Sequence, residues 1–323
     1  MKAYRHLKPT VIILTPVYNE AQSLPHYERA VSDVLLPRED VCFRILFIDD
    51  GSSDDSWSII NTICARDARF SGIRLSRNFG SHAALSAGFA HARGDAVATL
   101  ACDLQDPPQT ILSFVEKWRE GAQIVWGRRK TRKDIFWRRA ASSLFFRLLQ
   151  RFAMPPDSKF TTGSFFLVDQ KVAECFQRFG ETNRITFALV AWTGFDQQVV
   201  DYDRRARMAG VTGWTFSAML KAMYDAFVGF SYLPIRLMTL MGVLMFAFTL
   251  AFSGYLVFRW LTGSPLYGWT SIMVAMTFFF GLQFLLMGIS GEYLQRIYRE
   301  AVRRPLYFIS DRTAADGEHH DAG

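Results

Sequence analysis

Two stretches near the carboxyl end of this 323-residue chain carry no charged side chain: LMTLMGVLMFAFTLAFSGYLVF, residues 237–258, and WTSIMVAMTFFFGLQFLLMGISG, residues 269–291. A bilayer core asks for about 20 consecutive apolar residues in helical form. Core helices of that length would need a large domain around them, more than the remaining chain can supply. Both stretches are therefore expected to be transmembrane helices, with Gln283 the one strongly polar side chain inside them. The connector RWLTGSPLYG holds only Arg259, whereas the outer flanks hold Arg236 and then Arg296, Arg299, Arg303 and Arg304. That imbalance places both outer flanks in the cytoplasm. The expectation is a two-helix hairpin at 236–294, a cytoplasmic region before it, and a cytoplasmic tail at 295–323, disordered after residue 305.

The first part of the chain is patterned differently. VIILTPV (11–17), CFRILFID (42–49), GIRLS (72–76) and AVATLAC (96–102) are short, nearly continuous apolar runs. Such runs suit strands buried on both faces of a parallel sheet. Helix-like stretches at 20–36, 54–66 and 81–93 separate them, each after a polar turn. In DDGSSDDSW the Ser and Asp residues are good N-caps for a helix starting near Asp54. Alternating strand and helix predict an α/β fold with a doubly wound, mostly parallel sheet over residues 1–210. Ligands of such sheets sit at the carboxyl ends of the strands. The polar clusters TPVYNE, IDDGSSDD and CDLQDPP all fall there.

Two further segments read as interfacial. DIFWRRAASSLFFRLLQRF (134–152) mixes Trp, Phe and Leu with arginine, and FSAMLKAMYDAFVGFSY (216–232), within a juxtamembrane stretch at 211–235, is apolar with sparse charge. Basic amphipathic helices of this kind lie in the headgroup plane, although the same pattern also suits an amphipathic core helix.

A formal charge of +7 admits nucleic acid, acidic lipid or phosphorylated substrates. Because the arginines cluster beside the apolar segments, nucleic acid explains the charge poorly. Cys42, Cys64, Cys102 and Cys175 are scattered without a CxxC and read as reduced thiols. The amino terminus has only a short apolar run and no small-residue cleavage site, so no secretory signal is expected.

In ACDLQDPP, Asp103 and Gln105 lie two apart and would point to one side of an extended backbone. Hard cations such as Mg²⁺ or Mn²⁺ take one or two carboxylates plus substrate phosphates and waters. The same residues also suit a capping aspartate without a metal. Pro107 and Pro108 fit the first turn of the helix beginning TILSFVEKW. Of Asp49 and Asp50, one is expected to cap a helix and the other to accept from a base or ribose. Neither a GxGxxG loop nor a GxxxxGK[ST] loop is present, which disfavours those nucleotide-binding classes.

Taken in order, VIILTPVYNEAQSLP, LFIDDGSSDDS, RLSRNFGSHAALSAGFAHARGD, CDLQDPP and IVWGRRKTRKD resemble the family 2 glycosyltransferases of GT-A fold. The resemblance is closest to the polyprenyl-phosphate glycosyltransferases, the group around dolichol-phosphate mannose synthase and the bacterial undecaprenyl-phosphate sugar transferases. FSYLPIRL and GEYLQRIYREAVRRPLYFI look like the bacterial subgroup, and the resemblance runs from about residue 9 to 308. It implies that Pro16, Tyr18, Glu20 and Asp50 line a nucleotide-sugar pocket. Asp103 and Gln105 would hold a divalent cation (Mg²⁺ or Mn²⁺) on the diphosphate, with Asp103 and Asp106 as the catalytic carboxylates. Arg128, Arg129, Arg139, Ser142 and Arg207 match positions near phosphates of donor or lipid acceptor, work that suits the planar guanidinium. Any one of these arginines could equally bind anionic lipid. The implied reaction is inverting transfer of a sugar, with UDP the expected carrier, to a polyprenyl phosphate such as undecaprenyl phosphate, for modification of a cell-envelope glycan. The resemblance also implies residence in the inner membrane, with a flippase and a second glycosyltransferase acting downstream. Small residues in the two apolar stretches would allow packing into a homo-oligomer.

The sequence departs from the group at three places. Ala101 stands where the first Asp of Asp-x-Asp is usual, Phe160 and Ser164 where an Asp is frequent, and Gly213 where Lys is common. Two other readings compete. A processive polysaccharide synthase would carry Gln-x-x-Arg-Trp, but Leu256 precedes Arg259-Trp260 at the Gln position. A nucleotide-sugar binder that has lost catalysis would explain Ala101, but not the retained Asp103, Gln105 and arginines.

Overall fold

The structure is a computed structural model describing residues 8–130, 164–181, 184–204, 233–262 and 268–313. The chain forms two compact units, Met1–Tyr224 with Pro305–Gly323, and Asp225–Arg304. The segments 134–152 and 216–232, expected to be interfacial, lie outside the described residues, as do Arg139, Ser142, Phe160, Arg207 and Gly213.

In the first unit, β1 (Thr10–Val17), α1 (Leu24–Val34), β2 (Cys42–Asp49), α2 (Ser56–Arg66), β3 (Phe70–Leu75), α3 (Ser81–His91), β4 (Ala96–Thr99), α4 (Gln109–Arg119) and β5 (Ile124–Arg129) alternate as the apolar pattern requires. Then come β6 (Phe166–Asp169), α5 (Gln170–Gln177), α6 (Thr186–Trp192), β7 (Gln197–Tyr202) and, after the second unit, β8 (Ile309–Arg312). The strands form one sheet in the order β7-β5-β6-β4-β1-β2-β3-β8. The pairs β1–β2, β1–β4, β2–β3 and β5–β7 are parallel. The α/β, mostly parallel sheet expected from the sequence is therefore present.

Helices cover both faces of the sheet, which is why its strands read as continuous apolar runs. Residues Val11 to Leu14 are buried without alternation. The helices show the complementary pattern. α1 buries Leu24, Tyr27 and Val31 at helical spacing, and α4 buries Ile111, Phe114, Val115 and Trp118. A large apolar cluster joins these side chains to Phe43, Phe47 and Phe70 of the strands. The chain winds outward through β1, β2 and β3, then crosses back to place β4 on the other side of β1. Doubly wound sheets bind ligands beyond the carboxyl ends of the strands that flank such a reversal, here β1 and β4. β4 pairs with β1 only as far as Thr99 opposite Leu14, so β1 runs three residues further, through Val17.

Two elements differ from the sequence pattern. β4 ends at Thr99 rather than at residue 102, because the chain turns away ahead of Asp103. The segment after residue 305, expected to be disordered, supplies β8, antiparallel to β3 at the sheet edge. Four residues, ISDR, are too few and too polar to show a strand period, and their order comes from long-range pairing.

The second unit contains α7 (Leu233–Leu261) and α8 (Trp269–Val302), which meet where Phe248 and Phe279 lie 5.9 Å apart. Large apolar side chains such as Leu244, Phe258 and Phe284 are exposed. Among the described residues, no helix is long and apolar enough to cross a membrane. This corrects the expectation of a transmembrane hairpin at 237–258 and 269–291. The multi-pass inner-membrane placement, with catalytic region and both termini cytoplasmic, rested on those spans and falls with them. Counting absent charge is not the same as measuring hydropathy. Thr239, Gly242, Thr249, Ser253 and Gly254 interrupt the first apolar run, and Thr277, Gly281, Gln283, Gly288 and Ser290 the second.

The turn after β2 depends on one glycine. Gly51 has φ +69°, and a Cβ there would lie 2.5 Å from the backbone carbon of Arg77. Gly51→Ala should therefore lower unfolding stability by about 1–3 kcal/mol, from backbone strain and displacement of the facing loop. Urea denaturation of the full chain with and without the substitution measures the loss.

Candidate functional site

The loop after β1, Tyr18 to Ala21, is laced to the turn after β2. The Asn19 N–H donates to Ser52 Oγ at 2.9 Å, and the Ser53 N–H donates to Asn19 Oδ1 at 2.8 Å. The Glu20 N–H donates to Ser56 Oγ at 3.0 Å and the Ala21 N–H to Asp54 Oδ2 at 3.1 Å. Asn19 has φ +54°, a conformation Asn tolerates better than most residues, and it turns the chain out of the strand. Thus the serines and aspartates of DDGSSDDS bind a neighbouring loop more than they cap α2. Its N-cap, Asp55, makes no side-chain cap, although Asp54 accepts from the Ser56 N–H at 3.0 Å. Within this lacework Pro16 is partly buried, Tyr18 is 47% exposed, and the Glu20 carboxylate accepts from Ser23 Oγ at 2.5 Å.

Asp49 and Asp50 divide their work. Asp49 accepts from the Ser52 N–H at 3.1 Å, and its other oxygen lies 3.1 Å from Arg74 Nε, an ion pair without hydrogen-bond alignment. Asp50, also buried, accepts from the Phe79 N–H at 2.8 Å and the Gly80 N–H at 2.9 Å, one to each oxygen. Burial pushes both carboxyls above the usual carboxylate range, opposed by the hydrogen bonds they accept. Asp50 therefore holds the loop between β3 and α3 in place.

The ACDLQDPP loop lies beyond the end of β4. Its backbone is not extended: Leu104 has φ +52° and the Gln105 N–H folds back to Asp103 Oδ1 at 3.2 Å. Asp103 and Gln105 are thus neighbours in a turn rather than on one side of a strand. Asp106 is buried, accepts from Tyr202 Oη at 2.5 Å and lies 3.6 Å from Arg204 Nε. Burial and the adjacent Asp106 push the Tyr202 phenol well above its ordinary range, so it stays a donor. Arg129 donates to the same phenol oxygen at 3.3 Å. Arg128 forms a two-pronged pair with Asp201 at 2.6 and 2.9 Å, which holds that exposed carboxyl below its ordinary range.

Pro16 lies near the carboxyl end of β1, within the strand, and Tyr18, Glu20, Asp50, Asp103, Gln105 and Asp106 lie on loops that leave the carboxyl ends of β1, β2 and β4. Arg128 and Arg129 end β5, already paired within the fold. Ser164 is at the start of the β6 segment, where its carbonyl accepts from Thr99 Oγ1. The sequence reading did not single out Tyr202, Arg74, Ser52 or Phe79. Only the doubled serines and aspartates give a local signal, and their pattern is that of helix caps.

Among the described residues, no group of three or more His, Cys, Asp or Glu side chains is arranged to hold a metal. Asp103 with the amide of Gln105 fits a hard cation only in the way Mg²⁺ is commonly held, by one carboxylate together with substrate phosphates. The donor set is therefore compatible with a cation that arrives with a diphosphate.

The sequence profile described as glycosyl transferase family 2 matches residues 12–176. An uncharacterized glycosyltransferase of Synechocystis is 35% identical over 304 residues, 93% of this chain and 94% of the relative. A bactoprenol glucosyl transferase of Shigella phage SfV is 32% identical over 305 residues, 93% of this chain and 98% of the relative. A solved glucosyl-3-phosphoglycerate synthase from Mycobacterium tuberculosis, in complex with Mn²⁺, UDP-glucose and phosphoglyceric acid, aligns at 15% identity and a TM-score of 0.47. It covers 68% of this chain and 78% of that one. So distant a likeness adds nothing to the reading of the site.

The loop held by Asp50 leads into His82, whose Nδ1 accepts from the Thr186 N–H at 3.2 Å. Burial lowers this imidazole from its ordinary 6.5 to about 4. The unfolded chain takes up a proton below about pH 6.5 and the folded chain does not, so stability should fall as pH drops through that window. His82 should contribute a loss of about 2 kcal/mol between pH 7 and pH 5, read as the difference in pH dependence between wild type and His82→Gln. Urea unfolding at both pH values measures the difference.

Proposed function

The chain belongs to glycosyl transferase family 2 and is a glycosyltransferase, and on that premise we propose that it moves a sugar from a UDP-sugar to a polyprenyl phosphate such as undecaprenyl phosphate. The observation that carries the acceptor is its 32% identity, across 93% of its length, to enzymes named bactoprenol glucosyl transferase. The site is consistent with such a donor. Exposed Tyr18 offers a ring for the base beyond the carboxyl ends of β1 and β4. Each Asp50 oxygen accepts one backbone N–H and keeps a lone pair, enough to receive a base N–H or a ribose hydroxyl.

Asp103 and Gln105 would hold a divalent cation, Mg²⁺ or Mn²⁺, which when bound neutralises charge developing on the diphosphate. Ala101 leaves only one carboxylate in that pair, so the cation should bind weakly until the donor's phosphates arrive. Asp106 is assigned to positioning. The Tyr202 hydroxyl and nearby Arg204 keep its carboxylate turned into the fold, and this fixes the loop that presents Asp103.

The reaction needs no strong base. The acceptor is a phosphate monoester with a second pKa near 6, so it is largely ionised at neutral pH. One of its oxygens bonds to the anomeric carbon as the bond from that carbon to the diphosphate oxygen breaks, and the electron pair leaves with the nucleoside diphosphate. Attack from the opposite face inverts the centre, giving a β-linked lipid-phosphate sugar from an α-linked donor. The protein's work is to position two anions and screen their repulsion.

The test incubates the purified full chain with undecaprenyl phosphate, Mn²⁺ or Mg²⁺ and a panel of radiolabelled UDP-sugars. Label should move into solvent-extractable lipid with at least one donor. Asp103→Ala should slow that transfer by about 100-fold or more. No transfer from any donor would contradict the reaction, and full activity in Asp103→Ala would contradict the cation site.

A further inference from the structure

When the chain returns from the helical pair, its first residues dock on the loop that Asp50 holds. The Phe308 carbonyl accepts from the Ser76 N–H at 2.8 Å. The Phe308 ring lies 6.4 Å from that of Phe79, and the Arg77 guanidinium lies 4.0 Å from the Phe79 ring centroid. Phe79 is the residue whose N–H donates to Asp50.

Three residues further on, Asp311 accepts from Trp57 Nε1 at 3.2 Å. Arg74 lies 5.9 Å from the Trp57 ring, ion-pairs with Asp49 and donates to the Ser52 carbonyl at 3.0 Å. Thr313 Oγ1 accepts from the Gly72 N–H at 2.9 Å. An edge strand that merely covered β3 would need its backbone ladder alone. Here the Phe308 ring faces Phe79 and the Asp311 carboxylate takes the Trp57 N–H, two contacts outside that ladder.

We propose that residues 308–311 are a positioning element for the donor pocket, with Phe308 fixing the Ser76–Gly80 loop and thereby the Asp50 carboxylate. Donor affinity then depends on the segment that follows the helical pair, while the reacting groups lie elsewhere. The inference rests on the reading of the Asp50 turn as part of the UDP-sugar site. Phe308 touches the loop and none of the reacting atoms, so it is not a catalytic residue.

The experiment compares full-length wild type, Phe308→Ala and Phe308→Tyr. Calorimetry with UDP gives Kd, transfer kinetics give KM and kcat, and hydrogen exchange reads residues 76–80. Phe308→Ala should raise Kd for UDP and KM for the donor about 3- to 10-fold, in keeping with loss of an aromatic pair, and leave kcat within about 2-fold. The Phe79 and Gly80 amides should exchange faster, and Phe308→Tyr should restore both. Unchanged Kd and exchange in Phe308→Ala, with wild type binding UDP normally, would overturn this inference alone. A wild type that bound no UDP would overturn the donor-site reading and this inference with it.

Discussion

Asp50 spends its two buried oxygens on two consecutive backbone N–H groups, those of Phe79 and Gly80. That one contact joins the turn after β2 to the loop after β3. Leaving either N–H without an acceptor would cost on the order of 1–3 kcal/mol. Its neighbours depend on it in turn. Gly51 can approach the Arg77 backbone because the loop is held there, and Ser52 and Ser56 then bind the loop that follows β1. Three polar loops thus become one rigid rim beside the carboxyl ends of β1 and β4. A site assembled on backbone contacts of this kind costs little to organise when a charged donor arrives.

The same economy governs the chemistry proposed for the rim. Two anions must meet, a diphosphate and a phosphate, so rate depends on placement and charge screening rather than on proton removal. The described arginines at the end of β5 are engaged within the protein, Arg128 by Asp201 and Arg129 by Tyr202. In the proposed reaction, a divalent cation held by Asp103 and Gln105 would supply part of the screening of the donor. Asp106, on the loop after β4, is kept as a buried acceptor by Tyr202 from β7, which ties that loop to the far edge of the sheet.

Much of this was legible in the sequence wherever local physics decides. Runs such as VIILTPV and CFRILFID can be little else than strands buried on both faces, and their ends name the loops that carry the polar residues. Partnerships across the fold were not legible. Nothing near QQVVDYD announces that Tyr202 will donate to Asp106, 96 residues earlier. Nothing in ISDR announces a strand, because its pairing with β3 is set by tertiary contact. Spacing misled where it assumed an extended backbone: Leu104 turns left-handed, so Asp103 and Gln105 do not share a strand face. In the two apolar stretches, absence of charge was read as sufficient for a membrane span, and that reading did not survive.

In the proposed function, the donor nucleotide lies between the loops after β1, β2 and β4. Photolabelling the full chain with an azido-uridine analogue of a UDP-sugar, followed by peptide mapping, reads where the nucleotide sits. Label is expected on segments 16–20, 50–54 or 101–106, abolished by excess UDP. Label confined to other segments, or label that excess UDP does not displace, would contradict that placement.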